Sequence, residues 1–398
     1  MTSEYDIVTV GGGLGGSAVA KVMASSGASV LLVERETQFK DRIRGEALVP
    51  WGVDEARRIG VYDALRASCA HDVPKLLNIV GPLKLERDFT ATTPQRLAML
   101  TFYHPGMQEV MISEAQSAGA EVARGGRVRD VQPGERPRVT IERDGRVEEC
   151  TARLVVCSDG RSSASRAWGG FQVKRDRARM VICGVLLDGI AIPDDTNVFV
   201  IGPHVGRFAL LLPQGRGRVR AYLCYQHDAA HLSGESALSC FVEECVTTGA
   251  PAGFYAEATL AGPLASFDGA DNWVDHPYRE GIALIGDAAA TSDPTWGQGM
   301  SLALRDARVL TDFLQTDDDW GAAAHAYAAE HDRYYGVIHS VEDWLTQVFF
   351  ERGPHADDIR KRALPKLTMD PSRLPDHIIS GPDIEFDASI RVRFFGDD

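Results

Sequence analysis

The sequence predicts an α/β protein: a Rossmann-like nucleotide-binding domain, an inserted antiparallel sheet, and a helical C-terminal region. Three observations carry this expectation. The β-branched run Tyr5–Val10 ends abruptly in the glycine cluster Gly11–Gly16. A small-residue helix and a second apolar strand then complete a β-α-β unit within 34 residues. Four strand-like runs between residues 178 and 226 follow one another with turn residues and no long helix between them.

Length and charge bound the rest. At 398 residues, with 44% hydrophobic and 25% charged side chains, the chain has globular composition and room for two domains or one large one. A formal charge of -14 opposes broad binding to nucleic acid or anionic lipid. The start, Met1-Thr-Ser-Glu-Tyr-Asp, lacks the features of a secretory signal, and no apolar run is long enough for a membrane span, so a cytoplasmic protein is expected. The seven cysteines form neither a C-x-x-C pair nor a set with zinc-ligand spacing. They read as reduced thiols, with no metal site and no dithiol-disulfide reductase chemistry.

Taken in order, Tyr5–Val10 is a buried parallel strand, Ser17–Ser26 a helix closed by Gly27, and Ser29–Val33 a second strand finishing at Glu34. Between them lies Gly11-x-Gly13-x-x-Gly16. The first glycine permits the tight turn, the second lets a pyrophosphate approach the backbone, and the third lets helix and strand pack closely. Leu14 in this loop and Arg35 beside Glu34 are placed with them as cofactor-binding positions. Glu34, 18 residues after Gly16, can accept hydrogen bonds from ribose hydroxyls and would repel a 2′-phosphate. The unit therefore suits FAD or NAD and does not choose between them.

Residues 42–69 pattern as helices, and 75–100 is a broken excursion. A helix is expected over Pro105–Ala118, strands at 138–142 and 146–150, and a return to the parallel sheet at Leu154–Cys157. The inserted sheet is read at Met180–Leu187, Asn197–Ile201, Arg207–Leu212 and Arg218–Gln226. On the last of these, Arg220, Tyr222 and Cys224 alternate onto one face. Gly281–Ile285 restores a buried strand, Met300–Gln315 is a helix, and the tail is helical to about Phe350 before turning rich in Pro, Gly and Asp.

Two later segments resemble the FAD-dependent monooxygenases of the aromatic-hydroxylase type, the group that includes para-hydroxybenzoate hydroxylase. One is Leu154-Val-Val-Cys-Ser-Asp159-Gly160-Arg-Ser-Ser163-Ala-Ser-Arg166, an apolar strand followed by D-G-x-x-S-x-x-R. The other runs from Gly286-Asp287-Ala-Ala through Pro294 to Gly297-Gln-Gly299-Met300. The resemblance implies a glutathione-reductase-type FAD-binding domain, with Asp159 and Gly160 near the flavin pyrophosphate, Asp287 on the ribityl chain, and Gly297 and Gly299 beneath the isoalloxazine. A glycine turn feeding the helix that starts at Met300 presents free N–H groups and a positive dipole, suited to negative charge on reduced flavin. Arg42-Ile-Arg44-Gly45 is a third match, with Arg44 the first choice for the pyrophosphate. The chain departs from the family in Ala290, where histidine is common, and in His104, where many relatives have arginine. His104, or Gln108 one turn later, is a candidate for a contact to FAD; the other reading of His104 is a helix-start residue facing water.

The implied reaction is monooxygenation. NADPH or NADH, bound transiently without a domain of its own, reduces the flavin; O2 adds as a C4a-hydroperoxide; the terminal oxygen passes to an aromatic or polyketide-like small molecule. Substrate is expected between flavin and inserted sheet, with Pro294 and Trp296 beside it, although Trp296 reads equally as plain packing. Alternatives are a halogenase or epoxidase fed by a separate flavin reductase, a prenyl-reductase-like enzyme, and a non-catalytic flavin-binding protein. The expected borders are a discontinuous FAD domain of residues 1–75, 101–175 and 276–315, a substrate domain of 76–100 and 176–275, and a helical region of 316–398.

Overall fold

The computed structural model describes residues 3–202 and 205–398. Its first layer is a sheet whose parallel core runs, in spatial order, Ile282–Leu284, Arg146–Cys157, Ser3–Val10, Val30–Glu34 and Glu121–Arg124. Val8 lies opposite Val155 on one side and Leu31 on the other, so the β-branched run of the sequence is central and apolar on both faces. The antiparallel hairpin Arg127–Gln132 and Arg138–Arg143 extends the outer half of Arg146–Cys157. Helix Leu14–Ser25 covers one face, and its small residues allow close approach: a side chain at Gly15 would meet Ala303 of helix Gly299–Thr316. Helix His104–Ser117 completes this layer, with Pro105 in the first turn where its missing N–H costs nothing.

The second layer is a seven-stranded sheet in the order Thr259–Gly269, Met180–Asp188, Arg218–Gln226, Phe208–Pro213, Thr196–Ile201, Lys75–Val80 and Leu83–Asp88. Alternation of side chains gives it two different faces. Val181, Cys183, Val185, Leu223 and Leu211 pack beneath helix Leu238–Thr247 through Phe241 and Cys245. Met180, Ile182, Phe208, Tyr222 and Cys224 point the other way, toward the first domain. The sheet is not wholly antiparallel as expected: Thr196–Ile201 runs parallel to Lys75–Val80. These two strands come from distant stretches of chain, and no hairpin turn forces them into opposite directions.

The 30-residue helix Trp320–Phe349 begins with Asp319 accepting from the Gly321 and Ala322 amides. It reaches the inner face of the inserted sheet at its end. The Pro-rich tail is also ordered as helix, over Pro354–Met369 and Ala388–Phe395. Among the described residues no helix is long and apolar enough to cross a membrane.

Candidate functional site

The glycine loop packs as its chemistry requires. Gly11 has φ +99°, and a Cβ there would lie 2.6 Å from the Ser158 carbonyl oxygen. A Cβ on Gly16 would collide with the Gly11 carbonyl, whereas one on Gly13 would meet nothing within 4 Å. The first and third glycines thus serve the fold, and the second opens onto space. Leu14 starts the helix and is buried. Glu34 accepts from the Gly12 amide (2.7 Å) and the Glu36 amide (2.7 Å). Each of its oxygens keeps a further lone pair for a ribose hydroxyl.

The cleft in front of this loop is lined by Gly11, Gly13, Glu34, Arg35, Arg42, Arg44, Gln108, Asp159 and Gly160. Four separate stretches of chain therefore converge on it. The Asp159 carboxylate is committed locally: it accepts from the Ser163 hydroxyl (2.6 Å) and from the Ala164 (2.9 Å) and Ser165 (3.2 Å) amides, as a capping aspartate does. What this turn offers a cofactor is the Gly160 backbone, at φ +85°. His104 binds the Gly45 carbonyl through Nδ1 (2.8 Å) and so pins the loop that carries Arg44, while Gln108 lines the cleft itself. Desolvation and the neighbouring Arg44 lower the imidazole below its ordinary pKa, favouring the neutral ring.

At the far end, Asp287 is half-buried near Gly299. Burial raises its carboxyl, opposed by the Arg44, Arg161 and Arg166 guanidiniums. Met300 lies against Gly45, which brings the start of helix Gly299–Thr316 to the Arg44 loop. Gly286, Gly297 and Gly299 form the turns between, with Gly286 at φ +57° and Gly297 at +69°. The Gly286 amide donates to Asp306 (2.6 Å), and Asp306 also accepts from the Tyr334 hydroxyl.

Arg166 closes the D-G-x-x-S-x-x-R motif. It is buried, donating to the Asp287 (2.6 Å) and Ala288 (2.8 Å) carbonyls, and so ties the two family-like motifs together. Its spacing after Asp159 was the available signal. Ala290 is buried and pairs with Trp273, so small size there serves packing.

Two further networks hold the loops around the cleft. Arg220, fully buried, donates to Glu46 through Nε (2.7 Å) and Nη2 (2.9 Å), and through Nη2 to Asp41 (2.8 Å). The Tyr222 hydroxyl donates to the Arg44 carbonyl (2.7 Å). The strand face of Arg220, Tyr222 and Cys224 thus meets the 41–46 loop. The second network lies under 291–296: Ser292 donates to Glu342 (2.6 Å), the Asp293 amide to Asp271 (3.1 Å), and Trp296 Nε1 to Thr346 (3.0 Å). Trp296 and Pro294 sit on a single 3-10 turn, and the Trp296 ring lies 5.1 Å from that of Phe350, within the apolar cluster on the sheet's inner face. Trp296 is thus a packing residue of the inner-face cluster.

A cleft lined by the glycine loop, Glu34, Arg44 and Gly160, with Met300 at the start of helix Gly299–Thr316 brought against Gly45 and Asp287 beside Gly299, suits a dinucleotide-binding flavoprotein. The empty space at Gly13 and the free lone pairs of Glu34 fit FAD. Residues 4–327 match the FAD-binding-domain family, and the chain belongs to it. It is an FAD-dependent oxidoreductase. Among curated relatives, it is 24% identical over 349 residues to a digeranylgeranylglycerophospholipid reductase of Methanosphaerula palustris, covering 85% of this chain and 83% of that protein. Among solved structures, it resembles p-nitrophenol 4-monooxygenase PnpA of Pseudomonas putida, with TM-score 0.78, 18% identity and 96% of each chain covered. It also resembles a triple mutant of the flavin-dependent brominase Bmp2, with TM-score 0.77, 17% identity, and 98% of this chain and 97% of that one covered.

Proposed function

We propose that the chain is an FAD monooxygenase that uses NADPH or NADH and O2 to hydroxylate an uncharged aromatic or polyketide-like molecule. Bound FAD would relay electrons from the nicotinamide to O2 and carry the activated oxygen, while the protein binds, orients and excludes water. In this reading Glu34 holds the ribose, Arg44 and the amides of the glycine loop hold the pyrophosphate, and Asp287 holds the ribityl chain. The start of helix Gly299–Thr316 directs its free N–H groups toward the reduced ring.

The observation that carries the substrate class is the inner face of the inserted sheet. Met180, Ile182, Phe208 and Leu212 cluster there with Trp296 and Phe350. Arg220 on this face already carries Glu46 and Asp41, and Arg218 on the same strand pairs with Asp188, so neither is free to pair with a substrate carboxylate. Among the described residues this predominantly apolar, aromatic-rich surface favours neutral, apolar rings.

Anaerobic mixing of the FAD-loaded protein with NADH or NADPH, with and without neutral phenols or polycyclic quinols, tests the reading. Flavin bleaching, followed on aeration by product containing one atom from 18O2, is expected. No bleaching with either nucleotide would remove the single-component mechanism and favour a separate reductase. A product heavier by two hydrogens and carrying no 18O would favour reduction, which the apolar face also suits. Asp287→Ala should purify with little or no flavin, and full occupancy in that variant would contradict its assignment.

A further inference from the structure

The seven-stranded sheet ends on Leu83–Asp88, whose only strand neighbour among the described residues is Lys75–Val80. The strand is exposed along nearly its whole length, with Leu83 54% and Leu85 55% exposed. Val80, opposite Leu83 on the same face, is 37% exposed. Bidentate bonding of Arg87 to Asp376 (2.6 and 2.9 Å) anchors the strand against the tail. An exposed, regular edge that carries Leu83 and Leu85 among charged side chains leaves unpaired backbone groups as a template for another strand.

The hairpin dictates which backbone groups are free. The two-residue turn Gly81–Pro82 makes Val80 and Leu83 a hydrogen-bonded pair, so Leu85 also bonds inward to Asn78. The amides and carbonyls of Lys84 and Glu86 therefore point outward. We propose that this edge pairs antiparallel with the same strand of a second copy of this chain, about a two-fold axis through Leu85.

Charge selects that register. With Leu85 on the axis, Lys84 faces Glu86 of the other copy, twice by symmetry, Leu85 faces Leu85, and Leu83 lies opposite the aliphatic stem of Arg87. Slipping by one residue sets outward-facing amides against inward-facing ones. Centring the axis on Lys84 places lysine against lysine, and centring it on Glu86 places glutamate against glutamate. Only the Leu85-centred arrangement satisfies backbone and charge together.

Sedimentation velocity of the FAD-loaded protein at about 1 to 200 µM, a range suited to a small interface, tests this. A concentration-dependent dimer is expected. Leu85→Lys should weaken it by at least about tenfold, as should Glu86→Lys alone, while Lys84→Glu with Glu86→Lys should restore it. Leu85→Cys should form a disulfide-linked dimer on mild oxidation, when wild type and the exposed-site control Val147→Cys do not. A chain monomeric throughout this range, or a dimer indifferent to Leu85→Lys and to the charge swap, would overturn the proposal.

Discussion

Two junctions flank the cleft, and they meet the problem of buried charge in opposite ways. At the 41–46 loop, Arg220 is fully buried between Glu46 and Asp41, and opposite charges satisfy one another. Under the 291–296 turn, Asp271, Asp293 and Glu342 are all buried, and like charges are gathered instead. Burial and mutual repulsion push Asp271 up to about 7 and raise Glu342 well above the ordinary range. Burial raises Asp293 as well, against the pull of Arg179 and Arg161. The first junction is held by opposite charges, whereas in the second burial and repulsion favour the protonated carboxyls.

The largest test of this contrast is Arg220→Met. It strands Glu46 and Asp41 without a cation and should cost about 3 to 5 kcal/mol in denaturant unfolding. Adding Glu46→Gln should recover part of that loss, because one of the two abandoned charges is then gone. A cost under about 1 kcal/mol for Arg220→Met would mean that the pair contributes no more than a surface bridge.

The second junction predicts a pH dependence of defined sign. Carboxyls whose folded pKa is raised bind protons more readily in the folded than in the unfolded chain, so their contribution is fullest at low pH and falls as pH rises. For Asp271 the loss should span about pH 4 to about 7. Glu342→Gln keeps a hydrogen-bonding amide without the charge. It should flatten that slope and stabilise the protein at pH 8 by about 1 to 2 kcal/mol, read from melting curves across pH. An unchanged slope would show that the cluster is not proton-held. The smallest effect is expected for Thr346→Val, which removes the acceptor of Trp296 Nε1 and should cost about 1 kcal/mol, with a shift in tryptophan fluorescence.

Much of the first domain was legible because its signals are local. Strand, glycine turn, helix, strand and acid lie within 34 residues, and backbone sterics alone assign roles to Gly11 and Gly16. Arg166 was visible only as a spacing, since its partners, the carbonyls of Asp287 and Ala288, lie more than a hundred residues away. The parallel pairing of Lys75–Val80 with Thr196–Ile201 carried no sequence signal at all. Nor did the pairing of Arg220 with Glu46, for an arginine in a mostly apolar strand does not state which carboxylate it will meet.

By itself, then, the amino-acid sequence determined the nucleotide-binding unit, the alternation that gives the inserted sheet two faces, and the motifs belonging to an FAD protein. Those features rest on periodicity and on backbone conformations that few residues other than glycine tolerate. Tertiary structure alone decided that the Asp159 carboxylate caps a turn, that His104 pins the Arg44 loop, and that the buried Arg220 of the sheet's inner face is already paired. Each of these depends on which distant groups compete for the same hydrogen bond or charge, and that competition exists only once the chain has folded.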